Sequence, residues 1–201
     1  MTRAILSTTY FGPVQWYQKL NRYDLVFMEQ HESFQKQTFR NRCMIATTQG
    51  VQSLSFPIEH DAKDDISNIR LSDHGNWRHV HWQAIASAYG DSPFFEFYED
   101  DIRPFFFERK WERLMDYNEA ICQTMCQLLD IYPKITKTED YSAAFDGPDF
   151  RDAIRPKRPL PDADFLAKPY YQVFQEKHGF LPNLSILDLL FNMGPESIFY
   201  L

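Results

Sequence analysis

The apolar positions of this chain come in short runs separated by polar stretches, and their spacing predicts alternating strands and helices. Ala4 to Ser7 reads as a short buried strand, Pro13 opens a helix carrying Trp16, Tyr17 and Leu20 that ends near Arg22, and Leu25 to Met28 reads as a second buried strand. Strand, short helix, strand is the minimal βαβ unit, which is parallel and right-handed. The mostly polar stretch Glu29 to Arg42 follows. Cys43 to Thr48, the connection Gln49-Gly50 and Val51 to Ile58 then predict a hairpin with Leu54, Phe56 and Ile58 alternating on one face. The fold class expected is α/β: a single domain with a mixed sheet built on an N-terminal βαβ unit, a hairpin and a helical middle section.

Beyond a polar loop at His60 to Asp65 and a short strand at Ile69 to Leu71, the period changes to helical. Trp77, His81, Ala84, Ile85 and Ala88 share one face, with Asn76 as N-cap and Gly90 at the end. A longer helix is expected from about Phe105 to Ile131, started by Pro104 and stopped by Tyr132-Pro133. Its stripe includes Trp111, Leu114, Met115, Ile121, Cys122, Met125, Leu128 and Leu129. Residues 133 to 168 are rich in Pro, Asp, Lys and Arg and carry little periodicity, so they read as an irregular excursion within the one domain, residues 1 to 201. Tyr170 to Phe174 reads as a strand, and Ser185 to Asp188 has the character of a capping box opening a short helix that Gly194-Pro195 ends. There is no internal repeat.

Composition narrows the function by exclusion. The 201 residues are 44% hydrophobic and 24% charged, too apolar for a disordered chain, and no apolar run is long enough to span a bilayer. Only seven glycines are present, at positions 12, 50, 75, 90, 147, 179 and 194, none close to another. That spacing excludes a GxGxxG dinucleotide turn, a Walker-type phosphate loop and a GxSxG nucleophile elbow. Any phosphate would be held mainly by side chains. A net charge of −7 argues against nucleic acid as a partner. No basic residues precede an apolar N-terminal run, which predicts a cytoplasmic protein. Cys43, Cys122 and Cys126 form no CxxC pair and read as reduced core thiols.

In open α/β sheets the ligand crevice lies beyond the carboxyl ends of the strands. Here those ends are Ser7-Thr8-Thr9-Tyr10 and Glu29-Gln30-His31, which would bring a carboxylate, an imidazole and hydroxyls together. The following loop adds Gln35, Lys36, Arg40, Asn41 and Arg42, three cations within seven residues, which suits a small anionic ligand. Equally, Arg40 and Arg42 could pair with acids or cap the strand they enter. His81 interrupts an apolar stripe, either as a hydrogen-bonded core histidine or as a substrate contact. His79 and His81 point to different faces of their helix and no carboxylate or cysteine completes a set with His74, so no metal site is expected. Arg151, Arg155, Lys157 and Arg158 form a second basic cluster, a solvated loop or a phosphate-facing flap. Near the C-terminus, Asn183, Asp188 and Asn192 are the polar members of an amphipathic segment, Asp188 as a helix-capping or a catalytic acid.

Several segments together resemble the WbqC-like family of bacterial proteins. They are Tyr10-Phe11, the strand Asp24 to Glu29, the loop Gln35 to Cys43, Trp77 and Trp82 in the helix ending Ala88-Tyr89, Tyr170-Tyr171-Gln172-Val173-Phe174, and Phe180 to Asn192. The likeness covers most of the chain. It implies a role in making or modifying surface polysaccharide such as O-antigen, including transfer of an amino acid such as glycine to a nucleotide-activated sugar. Longer relatives carry a His-Gln-Pro-like triplet where this chain has Ser7-Thr8-Thr9, and a central α/β segment where it has residues 133 to 168. On this reading the protein is a transferase acting on a nucleotide sugar or sugar phosphate, with no cofactor indicated. Glu29 or His31 is the general base, and Lys36, Arg40, Asn41, Arg42, His81, Gln172, Asp188 and Asn192 contact substrate. The alternative is a non-catalytic binding or assembly protein, including a homo-oligomer, that uses an aromatic face at Phe94 to Tyr98 and Phe105 to Phe107.

Overall fold

The computed structural model describes residues 1–59, 65–108 and 110–201. The first half contains β1 (Arg3–Ser7), α1 (Val14–Arg22), β2 (Leu25–Glu29), β3 (Arg42–Thr47), β4 (Gly50–Ser55), β5 (Ile58–Glu59), β6 (Arg70–Leu71) and α2 (Trp77–Tyr89). There follow α3 (Phe95–Ile102), α4 (Pro104–Phe107), α5 (Leu114–Leu128), β7 (Ile135–Lys137), α6 (Gln175–His178), α7 (Ile186–Met193) and a final 3-10 turn, Gly194–Tyr200. Helices and strands are mixed in one α/β domain.

The expected βαβ unit is present and parallel. Ala4, Ile5 and Leu6 are all buried, as expected of a parallel strand covered on both faces. The register pairs Arg3 with Leu25 through to Ser7 with Glu29, so both strands end level and the side chains of Ser7 and Glu29 emerge side by side. Helix α1 folds back over them, the Trp16 indole Nε1 donating to the Ser7 carbonyl at 2.9 Å. The excursion flanks this sheet on both edges. β7 pairs with β2 in parallel, and on the far side Ile5 N–H donates to the Pro148 carbonyl while Phe150 N–H donates to Ile5. β7 was invisible in the sequence because all three of its residues are exposed and carry no apolar alternation.

Four local expectations change. The sheet is not mixed: the β1-β2-β7 sheet is wholly parallel, and the antiparallel pairs β3-β4 and β5-β6 stand apart from it. Outside its pairing with β4, β3 is occupied, since Met44 accepts from Ser185 N–H and Ala46 N–H donates to the Tyr89 hydroxyl, while the free edge of β1 is taken by residues 148 to 150. The long helix expected from Phe105 to Ile131 is two helices, α4 ending at Phe107 and α5 beginning at Leu114. There Leu71 N–H donates to Glu112 and Leu114 N–H to Ile69, so backbone pairing competes successfully with helix, and Trp111 folds back to stack on Phe105 at 5.0 Å. Tyr170 to Phe174 is not a strand: among the described residues its backbone pairs with no neighbouring strand and instead turns on itself, Gln175 N–H donating to the Gln172 carbonyl, while Tyr170 and Gln172 both donate to one buried carboxylate. Asn76 does stand at the start of α2, but its side chain makes no capping bond. Of the polar loop expected at His60 to Asp65, residues 60 to 64 lie outside the described residues.

Most of the surplus aromatics are core. Tyr10, Phe56, Trp77, Phe105 and Tyr117 interlock with ring centroids 4.7 to 6.3 Å apart, and Phe95 and Phe106 are buried as well, leaving Phe97 and Phe107 exposed. Helix α7 begins as expected, Ser185 Oγ accepting from Leu187 N–H, and ends at Gly194 with φ of 54°. A β-carbon on Gly194 would stand 2.5 Å from the Phe94 ring as well as in a left-handed backbone. Gly194→Ala is therefore expected to cost roughly 1–3 kcal/mol, read as a lower urea midpoint at unchanged slope.

Candidate functional site

Two carboxylate–guanidinium clusters meet where β1 and β2 end. Glu29 is fully buried and its carboxylate accepts from His31 N–H (2.8 Å), the Thr138 hydroxyl (2.9 Å) and Arg151 Nη1 (3.0 Å). Arg151 also donates to Asp149 from Nη2 (2.6 Å) and Nε (3.0 Å), and to the Ser142 carbonyl (2.7 Å). Partial burial pushes Asp149 upward, but the side-chain and backbone bonds from Arg151 outweigh it and hold that carboxyl below its usual range. The Asp149 contacts in turn raise Arg151 above its already high value.

Ser7 joins this cluster to the second. Arg40 Nε and Nη2 fork onto Glu32 at 2.8 and 2.5 Å, Nη2 also donates to Ser7 Oγ at 2.9 Å, and Ser7 Oγ donates to Glu32 at 3.0 Å. All three residues are buried. Outside them opens a crevice of about 520 Å³, lined by His31, Glu32, Gln35, Tyr141, Asp149, Arg151 and Asp152 among others. The His31 ring is partly exposed, with Nε2 3.2 Å from the Thr138 carbonyl and Nδ1 3.6 Å from Asp65. Tyr141 is 56% exposed and its ring lies 5.4 Å from the Arg151 guanidinium.

A crevice is present at the strand ends and His31 lines it, whereas Glu29 and Arg40 are buried behind it, Glu29 against Arg151 and Arg40 against Glu32, and line no part of it. Lys36 is exposed on the loop beside Gln35. Asn41 and Arg42 are directed elsewhere: Asn41 Nδ2 donates to the Phe56 carbonyl and Arg42 Nε to Ser55 Oγ, so both tie the β3-β4 hairpin together. His81 Nδ1 pairs with the Tyr10 hydroxyl at 2.9 Å inside the aromatic core, and burial lowers it to about 4, against a hydrogen bond to the Ser55 backbone that acts in the other direction. It is a neutral core histidine. Gln172, Asp188 and Asn192 form a separate buried cluster. Tyr170 and Gln172 donate to Asp188 Oδ2 at 2.7 and 2.8 Å, and Asn192 Nδ2 donates to the Asp188 carbonyl. Burial pushes Asp188 up to about 6 despite the bonds from Tyr170, Gln172 and Tyr89. Its side chain therefore holds the C-terminal segment rather than closing the capping box.

The sequence reading missed Glu32, Asp149, Tyr141 and the partner of Arg151. A signal existed for one pair. Asp149 and Arg151 are two apart, the spacing at which an aspartate accepts from the backbone N–H two residues on, and Asp149 Oδ1 does accept from Arg151 N–H at 3.0 Å. Glu32 gave none beyond being a carboxylate eight residues before an arginine.

Comparison with known proteins bears out the family resemblance over the segments from Tyr10 to Tyr89, while Tyr170 to Phe174 and Phe180 to Asn192 lie beyond the family match. The chain is 27% identical over 194 residues, 84% of its length and 83% of the relative's, to a protein of Mycobacterium tuberculosis (strain ATCC 25618 / H37Rv) described as uncharacterized protein Rv1507c. No solved structure matches it. The model of the WbqC-like protein family matches residues 8–150, which takes in β2 to β7, the Glu32–Arg40 pair and Asp149. With most of the chain so matched, the protein belongs to the WbqC-like family.

Proposed function

We propose that the crevice beyond β1 and β2 binds a sugar and that the protein acts as a transferase in making or modifying surface polysaccharide. The observation that carries this reading is the exposed Tyr141 ring over a crevice whose other walls include the planar hydrogen-bonding groups of Gln35, His31, Asp149, Asp152 and Arg151 beside Ala143, Ala153 and Leu160. An apolar ring face beside convergent carboxylate, amide and guanidinium groups suits a ligand with one C–H face and an equator of hydroxyls. Charge supports the same class. The guanidinium groups of Arg40 and Arg151 are each engaged by carboxylates, so they offer a bare anion little. A phosphate carried by the sugar would meet the exposed Lys36, Lys157 and Arg158, near in sequence to the lining residues Gln35 and Leu160. His31, with its ring in the crevice, would take the proton of the attacking hydroxyl or amine. Glu29 has no exposed surface and would act as a positioning residue, ordering the His31 backbone and Arg151.

Calorimetric titration of the whole chain with nucleotide sugars, sugar 1-phosphates, free sugars and amino acids tests this. The expected result is saturable binding of a sugar-bearing compound, weakened about tenfold or more by Tyr141→Ala, a loss of about 1.4 kcal/mol, at an unchanged melting temperature. His31→Gln is expected to keep affinity and lose turnover. Binding confined to amino acids, or untouched by Tyr141→Ala, would overturn the reading.

A further inference from the structure

A depression of about 290 Å³ lies where the first turn of α2 packs against α4, and it shares no lining residue with the sugar crevice. Its walls are Asn76, Arg78, His79, Phe106 and Phe107, so a chain of net charge −7 presents an arginine, a histidine and no carboxylate here. The volume is at the small end of ligand pockets, room for one ring and its substituent.

Arg78 is the residue whose bonding is incomplete. Its side chain is only 7% exposed, and the guanidinium packs against the Trp77 ring at 4.4 Å. Stacking uses the flat face of a guanidinium and leaves its five N–H donors, which lie in the plane, to find acceptors. Among the described residues they find little. Nη1 reaches across to α4 and donates to the Phe105 carbonyl at 3.4 Å, a long bond, while Nε lies 3.5 Å from Asp73 without a hydrogen bond. Nη2 has no acceptor, and unlike Nε it is not sealed from solvent. Unspent guanidinium donors in a nearly closed setting call for an oxyanion, which the fork of N–H groups binds at two points.

The surroundings favour the same charge. Asn76, at the N-cap of α2, makes no side-chain capping bond, so the positive end of the helix is left open at this depression. On the other wall the Phe107 ring is 48% exposed, with the Arg103 guanidinium 5.0 Å from its centre.

We infer that this depression is a second small-molecule site, taking a small organic anion whose oxyanion is held by Arg78 at the start of α2 and whose apolar ring lies against Phe107. An aromatic carboxylate and an aryl phosphate both supply this chemistry.

Calorimetric titration of the intact protein with benzoate and with phenyl phosphate separates these sources and tests the site. Benzyl alcohol carries the ring without the charge, and acetate the charge without the ring. The expected result is saturable binding of benzoate or phenyl phosphate, with benzyl alcohol and acetate each weaker by about tenfold or more, as befits loss of a charge-assisted bond or of the ring contact. Phe107→Asp, at a half-exposed position, is expected to keep the melting temperature and abolish binding by setting a like charge against the anion. Arg78→Gln is expected to remove the preference for benzoate over benzyl alcohol, and Phe107→Ala carries the comparison if Arg78→Gln does not fold. Tyr141→Ala should leave benzoate binding unchanged; a loss there would put the anion in the sugar crevice and overturn the inference. It is equally overturned if neither anion saturates, if benzyl alcohol or acetate binds as well as benzoate, or if Phe107→Asp binds benzoate as the native protein does.

Discussion

Arg40→Met is expected to lower the unfolding free energy by roughly 3–5 kcal/mol, because it strands the buried carboxylate of Glu32. Arg40 and Glu32 are almost wholly inside, with side-chain exposures of 3% and 6%, and no other cation contacts Glu32 among the described residues. The loss is comparable to a large share of a domain's whole stability. Urea denaturation of Arg40→Met beside Arg40→Met/Glu32→Leu separates charge burial from packing. The double variant should regain most of the loss, since a buried pair replaced by apolar groups of similar volume is often neutral. A cost below about 1 kcal/mol for the single change would refute the account, that being the range of an exposed pair. The same result bears on how function should be probed. Loss of activity in an Arg40 variant would report the collapse of the Glu32–Ser7 cluster as readily as the loss of a substrate contact, so Tyr141 and His31, at the crevice surface, are the cleaner positions.

Between about pH 4 and 6 the stability of the native protein is expected to be nearly flat, because two opposed proton linkages cancel there. His81 titrates at about 4 when folded against 6.5 ordinarily, so across that window the unfolded chain binds the extra proton and stability rises with pH. Asp188 titrates at about 6 when folded against 3.8 ordinarily, so the folded chain holds the extra proton and stability falls as pH rises. Each shift is a little over two units, or about 3 kcal/mol. Single replacements should unmask the limbs. Asp188→Asn leaves a protein that gains about 3 kcal/mol from pH 4 to 6.5. His81→Asn, whose amide can still meet the Tyr10 hydroxyl, leaves one that loses a similar amount from pH 4 to 6. Urea midpoints in half-unit pH steps give the readout, and parallel profiles for native and variants would defeat the assignment. The depressed Asp149 and Asp162 act at lower pH, where their partners' hold is lost as they protonate.

Legibility followed the range of the interactions. The βαβ unit, the β3-β4 hairpin, α2 and α7 were readable because each is written in local periodicity, and Pro13, Gly50 and Ser185 punctuate them where the backbone requires. The position of the crevice was readable too, since strand ends follow from strand boundaries. Its occupants were not. Arg151 meets Glu29 across 122 positions, and nothing near either residue announces the other. Asn41, Arg42 and Gln172 looked like free polar groups only because the carbonyls and hydroxyls that engage them are distant in sequence. Division of the long helix into α4 and α5 is the same lesson in backbone form: the apolar stripe continues, but pairing of Glu112 and Leu114 with Leu71 and Ile69 wins.

The way residues 133 to 168 wrap the sheet also sets an order of assembly during synthesis. Glu32 and Arg40 lie eight residues apart and can pair as soon as they leave the ribosome, whereas Glu29 must await Arg151 and Lys19, fully buried on α1, must await Asp162. At about 5–20 residues per second the nascent chain spends several seconds with a carboxylate and an ammonium that have no counter-charge and a sheet whose edges are both open. The first 130 residues are therefore expected to remain loose, chaperone-sensitive and unable to form the crevice until residues 133 to 168 arrive to close it.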